Sequence, residues 1–373
     1  MSKCSEVKLF AASKKTVAGT KWGFINEKAE FVIKPQFDRA NPFQKNGLAI
    51  VEINERVGVI DETGSYIVHP IYQFIEPFSE GLAVVGEIEG MMRAIDESGR
   101  VRTKAYLIIR SYRENRAVFW GREDMNGDNI GFLDHKGRVV IQPQYMNASD
   151  FTSGKALVKF EDKSYALIDL NGEILKTYPF QEVGRLSEGL FSFVRNEQGL
   201  TGYVNESGMI VISPAFSSGS SFYQDRAVVS VNNNNRQQSG LIDKAGAFII
   251  PPEYDEIIML GENRAAVGKV KDPGNVFKGA VYAIADTVSG HFFTDFIYDR
   301  VHDFQGEYSS VTKGLYSFFI KQNGVPAARL PLISGVGLLK LEGNVVIACI
   351  DGRTSYYDQH GNLIYGEENT IPH

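Results

Sequence analysis

One stretch near the C-terminal end gathers side chains that could bind a divalent metal. The sequence HFFTDFIYDRVHDF contains His291, Asp295, Asp299, His302 and Asp303. Imidazole nitrogens and carboxylate oxygens are ligands for zinc and related ions. The spacing lacks the short, regular intervals of a strong metal motif. The sequence therefore favours solvated loop charges in this stretch, and we expect no metal.

Two further stretches resemble ligand-binding loops only in part. DMNGDN, at residues 124–129, alternates oxygen ligands as calcium loops do, but its glycine is fourth and no glutamate follows at the twelfth position. GVGLLK, beginning at Gly335, has two glycines of a dinucleotide loop and no third. We predict a polar hairpin tip and the start of a strand, respectively. With no nucleophile motif or P-loop either, we predict no catalytic residue and no cofactor, and hence a protein that is not an enzyme.

Composition narrows the partner classes. The 373 residues are 43% hydrophobic and 23% charged, with a formal charge of −6 and no long basic run. That balance argues against nucleic acid and anionic membranes as partners and favours a basic one. The two cysteines suggest free thiols in a reducing compartment. Because no apolar run is long enough to cross a membrane and the N-terminus lacks a signal-peptide core, we expect the protein in the cytoplasm.

The chain repeats one phrase throughout its length. An acidic or amide residue ends a G-[FVY]-[IL]-[ND] phrase, and its equivalents recur at intervals of 35 to 43 residues. These positions are Asn26, Asp61, Asp96, Asp134, Asp169, Asn205, Asp243, Asp286, Lys321 and Asp358. The spacing indicates about ten copies of one structural unit.

The second copy shows the parts of the unit. GLAIVEI and VGVID are short β-branched runs separated by polar residues, which predicts a hairpin. In the DETG that follows, we expect the Asp61 carboxylate to accept backbone hydrogen bonds and Gly64 to adopt a positive φ. Because proline cannot donate to a sheet, Pro70 in YIVHPIY marks either the point where pairing stops or a strand at a sheet edge, and we expect this third strand to end there. Phe78 is predicted to pack one unit on the next.

A three-stranded meander of this size cannot bury its own faces, so neighbouring units must stack. We therefore predict an all-β protein: one tandem array over residues 1–373 of about ten three-stranded antiparallel repeats. An open, twisted, solenoid-like array is favoured, because three strands per unit fit poorly with four-stranded propeller blades. A closed β-propeller remains the alternative.

The repeat resembles that of the WG-repeat family of bacterial proteins. The resemblance rests on KWGFIN, VIKPQFD and FSEGLAVV, is fullest over residues 21–85 and good over 130–255. Residues 90–120, with Arg93 in place of glycine, and residues 280–373 are degenerate copies. The resemblance implies a β-rich tandem array of mostly unassigned function, with no catalytic residues to transfer.

The longer intervals come from insertions in the same hairpin connection, which places them on one rim of the array. We predict a non-catalytic scaffold that binds a protein partner at this rim, a basic toxin or effector being one option. A carbohydrate-binding or hydrolytic propeller is the alternative. The candidate residues are Arg122, Glu123, Asp124, Asn126, Asp128, Asn233, Asn234, Arg236, Lys271, Asp272, Asn275 and Phe277.

Overall fold

A computed structural model describes residues 8–17, 19–87, 90–121, 129–195, 199–233, 236–272, 274–275 and 278–366. None of these residues forms an α-helix. The chain divides into two compact units, Met1–Pro179 and Phe180–His373. The described residues form ten small antiparallel sheets, numbered here in chain order, which confirms the predicted series of about ten β-repeats.

The first unit contains sheets 1 to 5. Sheet 1 consists of β1 (Phe10–Thr16), β2 (Gly19–Ile25) and β3 (Phe31–Phe37). Sheet 2 consists of β4 (Arg39–Ala40), β5 (Leu48–Ile53), β6 (Arg56–Asp61) and β7 (Tyr66–Tyr72), and sheet 3 of β8 (Phe74–Ile75), β9 (Leu82–Gly86) and β10 (Met92–Asp96). Sheet 4 consists of β11 (Arg116–Gly121), β12 (Asn129–Asp134) and β13 (Val139–Tyr145), and sheet 5 of β14 (Asn147–Ala148), β15 (Lys155–Lys159), β16 (Tyr165–Asp169) and β17 (Ile174–Tyr178).

The second unit contains sheets 6 to 10. Sheet 6 consists of β18 (Glu182–Val183), β19 (Leu190–Val194), β20 (Thr201–Asn205) and β21 (Ile210–Phe216). Sheet 7 consists of β22 (Ser218–Gly219), β23 (Arg226–Asn233), β24 (Arg236–Asp243) and β25 (Phe248–Tyr254), and sheet 8 of β26 (Glu256–Gly261), β27 (Arg264–Val270) and β28 (Ala280–Asp286). Sheet 9 consists of β29 (Arg300–Val301), β30 (Tyr308–Lys313), β31 (Tyr316–Lys321) and β32 (Ile333–Ser334), and sheet 10 of β33 (Gly337–Glu342), β34 (Val345–Ile350), β35 (Arg353–Asp358) and β36 (Leu363–Tyr365).

The turn after each hairpin forms as its residues predict. In sheet 2, the Asp61 carboxylate accepts hydrogen bonds from the backbone N–H groups of Thr63 and Ser65, at 2.9 and 3.0 Å. Gly64 has a φ of 85° and its N–H donates to the Asp61 carbonyl. A Cβ on Gly64 would lie 3.2 Å from Ile33 of sheet 1. The turn thus caps its own hairpin and also packs on the preceding sheet.

The prolines lie at a wide bulge of an outer strand. In sheet 2 the partners of Val57 and Val59 on β7 are Tyr72 and Val68, so the single residue between them on β6 faces three residues of β7. The expectation that this strand ends at Pro70 is wrong, because β7 continues to Tyr72. The bulge spares the proline from donating a ladder hydrogen bond, and β7 lies at the edge of its sheet.

The same bulge explains the glycine of the repeat phrase. A Cβ on Gly58 would lie 2.6 Å from the Val68 carbonyl oxygen and 2.8 Å from the Pro70 nitrogen. The folded-over backbone of β7 therefore leaves room for no side chain at this position. Equivalent close contacts occur at Gly23, Gly131, Gly202 and Gly240.

Copies without this glycine and proline lack the wide bulge. In sheet 5, Ala166 occupies the glycine position and pairs with Thr177 in regular register with its neighbours. In sheet 3, where Arg93 replaces the glycine, the third strand is reduced to isolated bridges such as Met92 with Tyr106. Glycine and proline thus act as a pair that shapes the outer strand.

The core is divided among clusters that each join two successive sheets. One cluster packs Val59 and Tyr72 of sheet 2 against Ala83 and Val85 of sheet 3. The predicted plug Phe78 packs against this cluster. Other plugs contact an aromatic ring of the sheet before them: the Phe24 and Phe43 centroids are 4.6 Å apart, those of Phe132 and Phe151 4.9 Å and those of Tyr203 and Phe222 4.9 Å. The predicted role of these residues in packing one sheet on the next is confirmed.

Candidate partner-binding rim

The hairpins of sheets 7 and 8 extend beyond the repeat's usual length. In sheet 2, the hairpin has six residue pairs, from Leu48 with Asp61 to Ile53 with Arg56. In sheet 7 it has eight, ending at Asn233 with Arg236. At about 3.4 Å per residue, the sheet 7 hairpin therefore projects roughly 7 Å further. We call the ends of the sheet 7 and sheet 8 hairpins, residues 231–238 and 269–280, the rim.

The candidate residues divide between described and undescribed positions. Asn233, Arg236, Lys271, Asp272 and Asn275 lie on the rim. The others, Arg122, Glu123, Asp124, Asn126, Asp128, Asn234 and Phe277, lie outside the described residues. The structure therefore brings together the candidates of sheets 7 and 8, and those of the first unit stay a sequence prediction.

Asp255 joins the two rim hairpins. Its carboxylate forms an ion pair with Arg236 of the sheet 7 hairpin through Oδ1. Its Oδ2 accepts a hydrogen bond of 2.8 Å from the Val270 N–H of the sheet 8 hairpin. One side chain thus fixes the spacing of the two projections. Arg236, predicted as a partner contact, has this internal role.

Asp299 repeats the arrangement between sheets 8 and 9. Its Oδ1 lies 2.6 Å from the Lys271 Nζ, and its Oδ2 accepts a hydrogen bond of 2.7 Å from the Gly314 N–H. In the first unit Asp38 does the same between Lys21 and the Asn54 N–H. Each aspartate directly follows an aromatic residue. Phe37 and Tyr254 are the last residues of β3 and β25, and Tyr298 forms an isolated bridge where sheet 8 has no regular outer strand. The sequence signal is the dipeptide FD or YD, which occurs in PQFD, PEYD and FIYD.

These bonds stabilise the charged form of the bridging aspartates. The hydrogen bond from Lys21 and that from the Asn54 N–H lower the pKa of Asp38. The pKa of Asp299 is also lowered: burial opposes ionisation, but the Lys271 ammonium and the Gly314 N–H outweigh it. Asp38 and Asp299 are therefore ionised at neutral pH.

An aromatic stack with a lysine above it lies beside the rim. The rings of Tyr254 and Phe296 are stacked, with centroids 6.0 Å apart and an interplanar angle of 19°. The Lys269 Nζ lies 4.5 Å from the Phe296 centroid and 5.3 Å from that of Tyr254. Lys269 is exposed and both rings are partly exposed. Aromatic and cationic groups of this kind are common anchors at protein interfaces.

The end of the sheet 8 hairpin is closed by its own ion pair. The Asp272 Oδ2 accepts from the Lys278 Nζ at 2.7 Å, and its Oδ1 accepts from the Gly274 N–H at 2.9 Å. The hydrogen bond from Lys278 lowers the pKa of Asp272, so the loop carries a paired negative charge at neutral pH. Asn275 is exposed next to this pair.

The opposite ends of the strands are tied together by glutamates that the sequence did not single out. Glu80 adopts a φ of 53°, and its carboxylate accepts hydrogen bonds from the backbone N–H groups of Glu114 and Asn115, at 2.7 and 2.8 Å. Glu114, in the equivalent turn of the next sheet, caps the N–H groups of Ser153 and Gly154 in the same way. The sequence signal that could have drawn attention to these glutamates is their place in a turn of the pattern [DE]-G, as in Glu80-Gly81, or [EQ]-[ND], as in Glu114-Asn115.

The stretch with metal-ligand chemistry has other contacts. Asp299 is engaged by Lys271, His291 is exposed with its ring against Phe293, and His302 is partly buried in the next loop. In the part of the chain that the structure describes, no three histidine, cysteine or acidic side chains are grouped closely enough to hold a metal ion. Residues 124–128 of DMNGDN lie outside the described residues, and GVGLLK leads into β33 as predicted.

Known structures share the fold at low sequence identity. The chain is similar to the protein in a crystal structure of the eukaryotic initiation factor, with 10% identity and a TM-score of 0.54, covering 88% of this chain and 96% of that one. It also matches the computationally designed Ika8 protein (12% identity, TM-score 0.41, 77% of this chain and 93% of that one). The C-terminal WD40 domain of Sif2 matches at 12% identity and a TM-score of 0.38, covering 74% of this chain and 92% of that domain. The initiation-factor match supports the fold alone.

Sequence comparison identifies the repeat. No curated protein sequence matches the chain significantly. The described residues include no helix of the length and apolarity needed to cross a membrane. The model of the WG containing repeat matches residues 22–56, 58–87, 130–163, 202–234 and 240–269, which include the glycines and prolines of the bulged sheets. The chain therefore contains five WG repeats, as the resemblance of its sequence suggested.

Proposed function

We propose that this protein is a non-catalytic scaffold that binds a protein partner at the rim of sheets 7 and 8. The observation that carries the proposal is the pair of long hairpins held side by side by Asp255. Their exposed ends present Asn233, Lys271 and Asn275 on neighbouring projections. The candidates of residues 122–128 extend the same hypothesis to the first unit.

Rigidity supports this assignment. A surface that is already ordered loses less conformational entropy on binding, so more of the contact energy appears as affinity. The bonds of Asp255 and Asp299 hold both projections in place, and the side chains of Asn233 and Asn275 at their ends remain exposed. The stack of Tyr254 and Phe296 supplies the apolar anchor that polar loops alone would lack.

The partner we propose is a basic protein. The formal charge of −6 gives the chain a weak field that attracts cations and repels acidic surfaces. A basic toxin or effector held inactive by the scaffold is one partner of this kind. Weakening of binding by salt would be the signature of this charge contribution.

Shortening the sheet 7 hairpin tests the rim. Replacing residues 232–237 by Asn-Gly leaves Val231 paired with Gln238 and restores the six-pair length of sheet 2. Partners captured from lysate by the intact chain, identified by mass spectrometry and then purified, should bind the shortened chain at least tenfold more weakly. Unchanged affinity of the captured partner would show that the rim is not the binding surface.

Two point variants distinguish the contribution of the hairpin's length from that of the Asp255 ion pair and from a change in a turn outside the rim. Arg236→Ala keeps the hairpin length but removes the ion pair with Asp255. Glu55→Gly, in the two-residue turn of sheet 2, changes an equivalent turn away from the rim. We expect the sheet 2 variant to bind as the intact chain does and Arg236→Ala to show an intermediate affinity.

A further inference from the structure

A cavity lies between sheets 9 and 10, away from the rim. Its volume is about 270 Å³. The polar side is formed by His302, Asp303, Gln305 and Ser310 of sheet 9 and its loop, and the apolar side includes Leu339 and Leu341 of sheet 10. Both sheets belong to the second unit. The two stretches whose spacing suggested a metal site and a dinucleotide loop thus meet at this cavity.

Among the residues that line the cavity, the charged group is a carboxylate. Asp303 is the only acidic residue that lines it, and no lysine or arginine does, all of its walls lying within the described residues 301–341. His302 adds no positive charge at neutral pH, since burial, with help from nearby Arg300, lowers its pKa. Asp303 and Gln305 are exposed, whereas Ser310 and Leu339 are buried. The cavity therefore runs from an anionic mouth to a buried base.

The base of the cavity is apolar and firmly packed. Leu339 belongs to the core cluster of sheets 9 and 10, and Tyr308 and Leu341 pack against that cluster while remaining partly exposed. The Ser310 hydroxyl already accepts a hydrogen bond of 3.0 Å from the Leu339 N–H. The hydrocarbon and ring surface of the inner wall comes from side chains such as Leu341, Tyr308 and Phe319.

We propose that this cavity binds a small organic amine, with its ammonium group at Asp303 and its aromatic or branched hydrocarbon body between Leu341 and Tyr308. An anionic mouth over an apolar base selects cations that carry such a body, and disfavours carboxylates and phosphates. The volume lies just below the range of about 300–1,000 Å³ usual for drug-sized ligands. The ligand is therefore fragment-sized, and a metabolite amine with a single ring fills the space.

The test uses 2-phenylethylamine and the full-length chain. Binding is measured by ligand-observed NMR with titration at neutral pH, beside 3-phenylpropionate, which has the same ring and the opposite charge. We expect saturable binding of the amine and none of the carboxylate. Equal binding of the two, or no saturation by the amine at up to about 10 mM, well above the range of specific weak ligands, would overturn the proposal.

Variants locate the bound amine. Asp303→Asn should weaken amine binding about fivefold, the effect expected for a partly exposed ion pair. Asp351→Asn changes an exposed aspartate in the turn between β34 and β35, which does not line the cavity, and should leave binding unchanged. Leu341→Trp, which adds bulk to the apolar wall, should abolish binding while the circular dichroism spectrum is retained. Unchanged affinity in Asp303→Asn, or equal losses in both aspartate variants, would refute the site.

Discussion

Replacing Gly58 by alanine tests whether the glycine of the repeat is a steric requirement of the bulge. The added Cβ would lie 2.6 Å from the Val68 carbonyl oxygen, 2.8 Å from the Pro70 nitrogen and 3.0 Å from the His69 carbonyl carbon. All three are backbone atoms, so no side-chain rotation can relieve the contact. Gly58 is not among the residues with positive φ, so the expected cost is steric and not conformational.

The magnitude follows from two opposing effects. Overpacking a well-filled site costs about 1–3 kcal/mol, and contacts this short with fixed backbone lie at the upper end. Replacing glycine by alanine also restricts the unfolded chain, which returns about 0.4–1 kcal/mol. We therefore expect Gly58→Ala to reduce the free energy of unfolding of sheet 2 by about 2 kcal/mol.

A repeat array need not unfold in one step, so the assay must be local. Hydrogen exchange followed by mass spectrometry reports the opening free energy of peptides that cover β6 and β7. The expected loss corresponds to roughly thirtyfold faster exchange of the most protected amides in these strands. Urea denaturation, followed by circular dichroism, gives the effect on the whole chain.

Sheet 5 supplies the control. Ala166 occupies the same position in the repeat, and its pairing with Thr177 shows that alanine is accommodated where the bulge is absent. Ala166 is buried in the core cluster of sheets 4 and 5, so Ala166→Gly should cost the roughly 0.5–1 kcal/mol that glycine costs within a strand and a further ~0.8 kcal/mol for the lost methyl group. Both substitutions should therefore destabilise their sheets, although they change the side chain in opposite directions. If Gly58→Ala leaves exchange in β6 and β7 unchanged or slows it, the link between glycine and bulge is incorrect.

Three further predictions concern the turns and bridges. Hydrogen bonds from the Thr63 hydroxyl and from backbone N–H groups lower the pKa of Asp61. Its contribution to stability is therefore present above the unfolded value of about 3.9 and is lost as the pH falls through the folded pKa. Asp61→Asn should therefore make the urea midpoint less dependent on pH below about pH 4. Glu114→Gln should speed amide exchange at residues 153–154, because it weakens the hydrogen bonds that the carboxylate accepts there. Unchanged exchange at these residues would show that water replaces the carboxylate without a loss of stability. Asp255→Asn should speed exchange in both rim hairpins, whereas an effect confined to sheet 7 would mean that the Val270 N–H does not depend on it.

The elements of the repeat were predictable because their chemistry is local. The turn of Asp61 and Gly64 is set by residues within five positions of one another, and alternating β-branched residues define the hairpin strands. The plug Phe78 was recognisable because a large apolar residue recurs in a polar connection. Each of these signals is complete within one repeat, so the sequence contains it in full.

The features that were not predicted depend on strand register within a sheet or on contacts between neighbouring sheets. The bulge at Pro70 depends on how β7 is registered against Gly58, and a proline alone suggests only the end of a strand. The bridge of Asp255 connects positions 19 residues apart in one direction and 15 in the other. A surface glutamate such as Glu114 has no sequence feature that reveals its backbone partners in the next sheet. Such contacts depend on the spacing of neighbouring sheets.

Where a copy has lost its glycine and proline, residues of the outer segment can make contacts other than strand pairing. In sheet 8, Ala283 replaces the glycine and the proline is missing, so the bulged outer strand is replaced by isolated bridges such as Ala285 with Phe292. The segment released from regular pairing carries Phe296, which stacks on Tyr254 of sheet 7. In a regular outer strand, the residues of this segment would pair with β28. Loss of the glycine and proline in this copy therefore leaves these aromatic residues free to stack next to the rim, and we expect partner specificity to reside where the repeat departs from its own pattern.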